Sequence, residues 1–423
     1  MPAEPVAPPA VAPDDVAGRT ARRVVTVLAL VAVLPALYLP GLRHEYYDQK
    51  IYMRAMDWWT AGHPLYDYVQ PDRVQGALYF TYPPFAALLL APFAQLRLGV
   101  AIAAFAVLTV AGVVVTTRWL VAPVLRRHGL PHTFGLTVAV LLVLAVESTR
   151  ETLTLGQINM LLVVLILGDL LFAVPQGRRW AGVGVGVAAA LKLFPGIFVL
   201  YLLAARRWRA AAVAAVTAAV ATLLAAAVAP GDSWRFWTHE LWATDRVGRP
   251  DYTGNQSLFG LLSRLTSPQD PGRLEWLLLV LLVAAFGLWR AARAARAGDA
   301  VTGLTLTGLV GGLASPITWT HHLYWFVPAV VVLLDTALDA GPGTWRRRGL
   351  LALAVGTGLV IVYGVVTFQD WGAGVVHTGN LVDFVVRNAY VLLSLLMLVV
   401  LPIRWHRDTS PDNPDRADTT GDN

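Results

Sequence analysis

The sequence predicts an all-α polytopic membrane protein with about twelve transmembrane or re-entrant helices and outward-facing loops. Of its 423 residues, 56% are hydrophobic and only 14% are charged, and the mean hydropathy is +0.57. A soluble protein of this length carries far more charge. The apolar residues fall in stretches of roughly 20, the length that a helix needs to cross a bilayer. These observations favour one integral membrane domain over two or three soluble domains.

The basic residues form short clusters between the apolar stretches. The net charge is +6, which by itself would suit a nucleic-acid partner. The clusters "RTARR", "RRWR", "RAARAAR" and "WRRRG" instead have the position of arginines that stay cytoplasmic in membrane proteins. We therefore exclude nucleic-acid binding. The chain has no cysteine, which excludes disulfides, thiol catalysis and zinc–thiolate sites.

Three regions follow from the composition. Residues 1–23 are rich in proline and alanine and predict a disordered cytoplasmic N-terminus. Residues 24–403 form the predicted integral membrane domain, and its first apolar run lies too far into the chain for an ordinary signal peptide. Residues 404–423 predict a disordered cytoplasmic tail. Within the domain, apolar segments are predicted at 24–40, 82–96, 98–121, 133–148, 157–174, 180–204, 208–229, 273–292, 301–313, 323–340, 349–368 and 384–403.

Orientation follows from the arginines, with one conflict in the middle of the chain. Arginines before the first segment and after the last place both termini in the cytoplasm. The long polar loops 41–81 and 230–272 then face outward, as do 315–322 and 369–380. However, three basic clusters cannot all be cytoplasmic if every segment spans fully, namely those at 126–127, 177–179 and 205–209. Either the rule fails there or some segments are short re-entrant pieces, which are tolerated where they line a cavity.

The stretch "HEYYDQKIYMRAMDWWTAGHPLY" (44–66) follows the first apolar segment and is dense in charged and aromatic residues. Asp48 is placed as a helix N-cap, and the helix is predicted to reach about Ala61 before Gly62 and Pro64 end it. An aromatic face predicts that this helix lies flat at headgroup level, through Tyr52, Trp58 and Trp59. The role of Asp48 stays open between a structural cap and a general base.

Polar groups next to apolar segments indicate a wet cavity. Tyr82 precedes a proline pair that suits a rigid helix entry, and its ring can stack on a sugar. The stretch "ESTRETLTLGQINM" (147–160) holds Arg150, Gln157 and Asn159, which either pair with their neighbours or line a cavity.

Lys192 lies in an apolar segment just before Pro195-Gly196. An ammonium at such a depth needs an anion, unless its stem carries it to an interface. The break beside it suggests two half-helices that meet at a cavity, with Lys192 at the apex. This arrangement favours a phosphate partner.

Two outward stretches carry further candidates. Asn255 and Gln256 have side chains suited to hydroxyl binding, although a loop with a helix cap is the more common explanation of such residues. Trp319 precedes the adjacent pair His321 and His322. Metal-binding histidines on one helix prefer a spacing of four, so phosphate binding or orientation of a base is favoured over zinc. No metal ligand set is predicted, and the sequence leaves open whether a divalent ion assists.

Taken in order, these stretches resemble glycosyltransferase family 87. The resemblance rests on an Asp-bearing loop after the first span, followed by "GHPLY", "FTYPPFAALLLAPFA", "GQINM", "ALKLFPG", "GNQSL" and "SPITWTHH". It covers about residues 24 to 403. The family consists of polyprenol-phosphate-mannose-dependent α-(1→2)-mannosyltransferases of actinobacteria, and it implies a C-type glycosyltransferase fold with its site at the outer face of the plasma membrane.

The resemblance also implies roles for the candidate residues. Asp48 matches the family's catalytic acid and would be the general base. The donor, a sugar on a polyprenyl phosphate, would be bound by Lys192, His321, His322, Arg150, Gln157 and Asn159. The other substrate-binding residues would be Tyr47, Tyr52, Tyr82, Asn255, Gln256 and Trp319. The acceptor would be a glycolipid, with membrane lipids around the site and no cofactor.

Two alternatives remain open from the sequence. An arabinofuranosyltransferase that uses polyprenyl-phosphate-arabinose would keep the fold and change the sugar. A lipid or polysaccharide carrier would instead use Asp169 and Lys192 as intramembrane charges, although a lone acid in a span is more often a satisfied polar contact.

Overall fold

The computed structural model describes residues 18, 20–28, 31, 45–72, 76–267, 269–364 and 380–404. Most of the predicted disordered termini, most of the first apolar segment and the stretch 369–379 lie outside these residues. Residues 18 and 20–23, at the end of the predicted N-terminal region, are described and are helical. The described chain is mostly helical, as predicted. Its helices are α1 (Tyr47–Thr60), α2 (Pro84–Ala94), α3 (Leu98–Arg127), α4 (His132–Ala145), α5 (Glu147–Leu155), α6 (Asn159–Gly168), α7 (Val183–Leu191), α8 (Ile197–Ala204), α9 (Trp208–Val228), α10 (Pro230–Thr238), α11 (Leu258–Thr266), α12 (Arg273–Arg296), α13 (Ala300–Ala314), α14 (Phe326–Asp339), α15 (Trp345–Tyr363), α16 (Leu381–Arg387) and α17 (Ala389–Val400).

Short elements complete the described chain. Strands β1 (Val69–Asp72) and β2 (Gly76–Tyr79) form one antiparallel hairpin in the loop 41–81, named the first outer loop after its predicted orientation, with Val69 opposite Tyr79. The all-α prediction did not include this hairpin. Single helical turns occupy Leu65–Asp67, Asp169–Ala173, Phe194–Gly196, Glu240–Trp242, Thr244–Val247 and Thr320–His322.

Few helices are long enough to cross a bilayer alone. Within the described residues, three qualify by length and composition, and up to five if the two bent pairs α4–α5 and α16–α17 each count as one span. The count of about twelve segments is therefore not confirmed. Several predicted segments are shorter helices, including α2 and α13.

Helices α7 and α8 are half-helices that meet at Lys192. They have 9 and 8 residues, or about 12–14 Å each at 1.5 Å per residue. At the far ends of this pair, Arg209 donates to the carbonyl oxygens of Gly177 at 2.7 Å and Arg178 at 2.6 Å. The two half-helices therefore begin and end on the same side of the molecule, and Lys192 lies at the turn between them.

A charged network joins the helix ends on that same side. Arg404 bonds Asp299 through its backbone N–H at 2.9 Å and bonds Asp335 through Nη1 at 2.5 Å. Arg127, at the end of α3, also pairs with Asp335. Tyr201 of α8 packs against the first turn of α13, which follows Asp299. The three basic clusters that conflicted in the sequence thus lie at one end of the molecule, because α7 and α8 are re-entrant.

Helix α1 differs from its prediction in two ways. It begins at Tyr47, after Tyr46 in a left-handed conformation with φ 56°, so Asp48 lies inside the first turn and is not the N-cap. Backbone contact explains this start, because the N–H of Tyr46 donates to the carbonyl of Thr154 at 2.9 Å. The helix end is as predicted, with Gly62 at φ 93°.

The aromatic residues of α1 pack against protein. Tyr52 is buried, and Trp59 Nε1 donates at 2.9 Å to Asp232 in the loop 230–272, named the second outer loop after its predicted orientation. Asp232 also accepts from the backbone N–H of Leu65 at 3.0 Å, which ties the two loops together. The prediction of an aromatic face at headgroup level is therefore wrong for Tyr52 and Trp59, because the second loop covers that face.

We expect cysteines placed at Arg126, Arg178 and Arg206 to react with a membrane-impermeant maleimide from one side of the membrane. These residues are exposed, and the native chain has no cysteine that would react in the background. Cysteines at His63 and Thr238 should react from the opposite side, which serves as the control. Labelling of the Arg178 and His63 positions from the same side would contradict the re-entrant arrangement.

Candidate active site

Four side chains form a continuous hydrogen-bonded chain from the first outer loop to the half-helix apex. Gln157 Nε2 donates to Asp48 Oδ2 at 2.5 Å, and the Tyr82 hydroxyl donates to Gln157 Oε1 at 2.8 Å. Lys192 Nζ donates to the Tyr82 oxygen at 3.1 Å. The Tyr52 hydroxyl lies 2.6 Å from that of Tyr82. The structure thus brings together the predicted base and the predicted phosphate ligand.

The ammonium of Lys192 is surrounded by neutral groups. Besides Tyr82, it bonds Asn159 Oδ1 at 3.1 Å and His322 Nε2 at 2.8 Å. Burial and the neighbouring Lys192 charge lower the pKa of His322, so its imidazole is neutral. A buried cation among neutral partners is suited to binding an anion, because no carboxylate bond has to be broken first.

Each of these residues lies at the end of a secondary-structure element. Asp48 is in the first turn of α1, Asn159 begins α6, and Lys192 follows the last residue of α7. Tyr82 directly precedes Pro83 and Pro84, and the second proline begins α2 as predicted. Helix ends keep backbone groups unpaired and side chains outside the regular packing, so they suit a polar site inside an apolar protein.

Gly156 sets the turn that carries Gln157. It ends α5 in a left-handed conformation with φ 72°, which glycine adopts without strain. A Cβ atom at this position would lie 2.4 Å from Oε1 of the buried Gln49. Close packing between α1 and the α5–α6 turn therefore fixes the distance between Asp48 and Gln157.

Burial dominates the electrostatics of Asp48. It raises the pKa of this carboxyl to about 6, while the hydrogen bond from Gln157 and the charge of Lys192 act in the opposite direction. The group is thus ionised near neutral pH and can accept a proton, as a general base must.

A narrow cleft continues from Lys192 into the apolar interior. Asn159, Lys192 and His322 form its polar mouth, and its wall is apolar, formed by Leu162, Val163, Ile166, Phe194, Pro195 and Trp325. Phe194 stacks on His322 with ring centroids 6.1 Å apart. The lining thus combines polar groups suited to an anion with apolar side chains suited to a hydrocarbon chain.

The structure places Arg150 outside this cluster. Its guanidinium donates to the carbonyl oxygens of Ala145, Val362 and Tyr363, at the ends of α4 and α15. The predicted donor-binding role of Arg150 has no support in this geometry, because carbonyls that lack helical partners already bind its donors. His321 lies beside the site, with its ring centroid 4.6 Å from that of His322 and its Nδ1 3.7 Å from Glu151.

The remaining predicted substrate ligands also have structural partners. Gln256 donates to the carbonyls of Thr253 and Arg387, and Asn255 donates to those of Pro250 and Pro316. Trp319 packs edge-on against Tyr252, and the Tyr47 hydroxyl donates to Pro71 of the hairpin at 3.1 Å. None of these four predicted side chains bonds the Asp48–Lys192 chain within the described residues.

Sequence reasoning missed Phe194 and Trp325, and it considered Glu151 only as a member of the charged cluster around Arg150. Glu151 accepts from the hydroxyl of Thr320, next to the histidine pair. Phe194 lies two residues after Lys192, so its position beside the predicted helix break was a signal in the sequence that could have identified it. Trp325 follows the histidine pair by three residues, but nothing in its local sequence separates it from an ordinary core residue.

The comparison with known proteins identifies the family. The sequence profile of glycosyltransferase family 87 matches residues 80–316. A "polyprenol-phosphate-mannose-dependent alpha-(1-2)-phosphatidylinositol mannoside mannosyltransferase" of Mycobacterium tuberculosis is 35% identical over 369 residues, which are 82% of this chain and 84% of the relative. The corresponding "phosphatidylinositol pentamannoside mannosyltransferase" of Mycolicibacterium smegmatis is 33% identical over 358 residues, 81% of this chain and 84% of that protein.

A third relative carries a different activity in its name. An "alpha-(1->3)-arabinofuranosyltransferase" of Mycobacterium tuberculosis is 31% identical over 256 residues, which cover 57% of this chain and 53% of the relative. No solved structure matches the chain.

We expect Gly156→Ala to destabilise the protein by about 1–2 kcal/mol, because a left-handed conformation is strained for any residue with a Cβ. The added methyl group also collides with Gln49. The melting temperature in detergent measures the effect. Gly356→Ala is the matched control, because its Cβ meets open space in the middle of α15, and an equal loss in both variants would contradict the role of this turn.

We expect Asp48→Asn to raise the melting temperature relative to wild type, by an amount that grows between pH 5 and pH 7.5. The raised pKa means that the wild-type carboxyl is stable when protonated and loses that stability as pH rises through about 6. The amide never ionises and avoids this loss. Asp57 is exposed on the same helix, so Asp57→Asn should show no such trend and serves as the control. The absence of a trend for Asp48→Asn would indicate that Asp48 is solvated and would contradict its burial.

Proposed function

Because the chain belongs to glycosyltransferase family 87, we propose that it moves mannose from polyprenol-phosphate-mannose to a phosphatidylinositol mannoside, forming an α-(1→2) linkage. The observation that supports this proposal is the hydrogen-bonded chain from Asp48 to Lys192, which joins the carboxylate that we propose as the base to the side chain that we propose as the phosphate ligand.

The proposed reaction is a direct substitution at the anomeric carbon of the donor sugar. The acceptor hydroxyl oxygen bonds to that carbon while the bond from carbon to phosphate oxygen breaks, and the phosphate leaves with the electron pair. Asp48 takes the hydroxyl proton. Attack opposite to the leaving group inverts the configuration, so a β-linked donor gives an α product.

The leaving phosphate gains negative charge as the bond breaks. Lys192 and Asn159 converge at the mouth of the cleft with His322. The backbone N–H of Trp319 lies 3.2 Å from His322 Nδ1, and His322 Nε2 lies 2.8 Å from Lys192 Nζ. Lys192, Asn159 and His322 thus converge on the proposed position of the phosphate, and fixed polar groups of this kind stabilise charge that develops in the transition state.

The apolar wall of the cleft supports a lipid donor. It begins at the cation and runs between α6 and the break at Phe194–Gly196. The outer loops, tied together by Asp232, lie beside Asp48 and would receive the headgroup of the glycolipid acceptor. We place the site on the outer face of the plasma membrane, because the arginine clusters lie at the opposite end of the molecule.

The mannose donor is favoured over arabinose. The relatives named as mannosyltransferases match more than four-fifths of the chain, while the arabinofuranosyltransferase matches 57%. A carrier is not favoured, because the structure explains Asp169 as an anchor. Its carboxylate accepts backbone N–H groups of Gly182 at 2.8 Å and Val185 at 3.1 Å, at the start of α7.

We expect purified wild-type protein to transfer radiolabelled mannose from polyprenol-phosphate-mannose to a phosphatidylinositol mannoside. Asp48→Asn should reduce the rate by about 10²–10⁴-fold, the usual contribution of a general base. The rate of the wild type should rise with pH through about 6, as Asp48 ionises.

Asp57→Asn is the control for the loss of a carboxylate on α1. Equal transfer by wild type and Asp48→Asn would contradict the base assignment. Transfer from polyprenyl-phosphate-arabinose alone would overturn the mannose donor, and linkage analysis of the product checks the α-(1→2) bond.

A further inference from the structure

The hydrogen bonds between Asp48 and Lys192 run in one direction when Asp48 is ionised and Lys192 is an ammonium. An ammonium has only donors, so the Tyr82 oxygen accepts from Lys192 at 3.1 Å. The Tyr82 hydroxyl then donates to Gln157 Oε1 at 2.8 Å, which forces the amide Nε2 toward Asp48. The Tyr52 hydroxyl donates to Tyr82 at 2.6 Å and completes its coordination. The orientation of the Gln157 amide is thus set by Tyr82 and is not free to reverse.

This arrangement makes the two oxygens of Asp48 different. Oδ2 accepts from Gln157, and within the described part of the chain no donor bonds Oδ1. A general base needs one oxygen held and one oxygen available, because a carboxylate that turns freely loses the alignment with the reacting hydroxyl. The burial of Gln157 and Tyr82, at 5% and 7% exposure, keeps water from replacing either bond.

We propose that Gln157 and Tyr82 are positioning residues that hold Asp48 by Oδ2 and leave Oδ1 to take the acceptor's proton. This inference rests on the proposed function and revises the roles that the sequence suggested, in which both residues touch substrate. It also couples the two ends of the site, because Lys192, which would meet the donor phosphate, is bonded to the same tyrosine that orients the amide.

Positioning has a consequence that direct sugar binding lacks. The hydrogen bond from Gln157 favours the ionised form of Asp48, so its loss raises the pKa of that carboxyl further. The titratable groups that face Asp48 are Lys192, Tyr47, Tyr52 and Tyr82. Burial raises the pKa of Tyr47, and all variants below keep Lys192, so its titration is common to them.

The test compares Gln157→Leu, Tyr82→Phe and the double variant in the mannose transfer assay. Each single change should lower kcat by about tenfold with little change in donor KM, which is the loss expected for one hydrogen bond to a charged group. The rising limb of the pH profile should move to higher pH. The double variant should be no slower than Gln157→Leu, because both changes break the same chain.

Two further variants keep the test decisive if Gln157→Leu folds poorly. Gln157→Glu retains the side-chain size and adds a like charge, so it should move the limb further than Tyr82→Phe does. Tyr324→Phe, which removes a buried hydroxyl bonded to Thr116 at 2.8 Å, controls for the loss of a core hydrogen bond and should leave the pH limb in place.

Three outcomes separate this inference from the proposed function. A raised donor KM with an unmoved limb would overturn positioning and return Gln157 and Tyr82 to sugar binding. Effects that multiply in the double variant would overturn the shared chain. Wild-type protein that transfers no mannose would instead contradict the proposed function itself.

Discussion

The structure of the site depends on one buried ammonium. Lys192 lies at the break between two half-helices, and its Nζ lies within hydrogen-bonding distance of Tyr82, Asn159 and His322, which belong to three other parts of the chain. A cation in an apolar interior is costly unless polar groups surround it. The segments that supply those groups are therefore held together at Lys192, and the chain of bonds continues from there to Asp48.

The membrane explains why the site is built from helix ends. Backbone groups inside a helix are already paired, whereas a broken helix exposes polar atoms that must find partners in protein or water. The half-helices α7 and α8, the turn at Gly156 and the bent pair α4–α5 all end near the cluster. These breaks bring polar residues to one point and leave the apolar surface of each helix for packing.

The opposite end of the molecule is organised differently. There, Arg127 and Arg404 pair with Asp335, and Arg404 also binds Asp299. These charges neutralise one another, so this network joins helix ends and leaves no isolated cation. Charge pairing thus differs between the two ends of the molecule. The end that carries the arginine clusters holds ion pairs, whereas at the other end Lys192 lies among neutral groups, where a phosphate would bind.

The sequence by itself determined the membrane class, the helical content and the family. It also singled out Asp48 and Lys192, which the structure joins through hydrogen bonds. Apolar length, charge clusters and a polar residue beside a helix break are local signals, and each has a direct physical meaning. Only the tertiary structure showed that α7 and α8 form a re-entrant pair. It also showed that Arg150 donates to backbone carbonyls and that the second outer loop covers the aromatic face of α1. Arg150, Asn255 and Gln256 show the reason: their residue types suit a ligand and a backbone carbonyl equally well. Which of these partners each side chain meets depends on helices that lie far apart in the chain, and no local pattern encodes that distance.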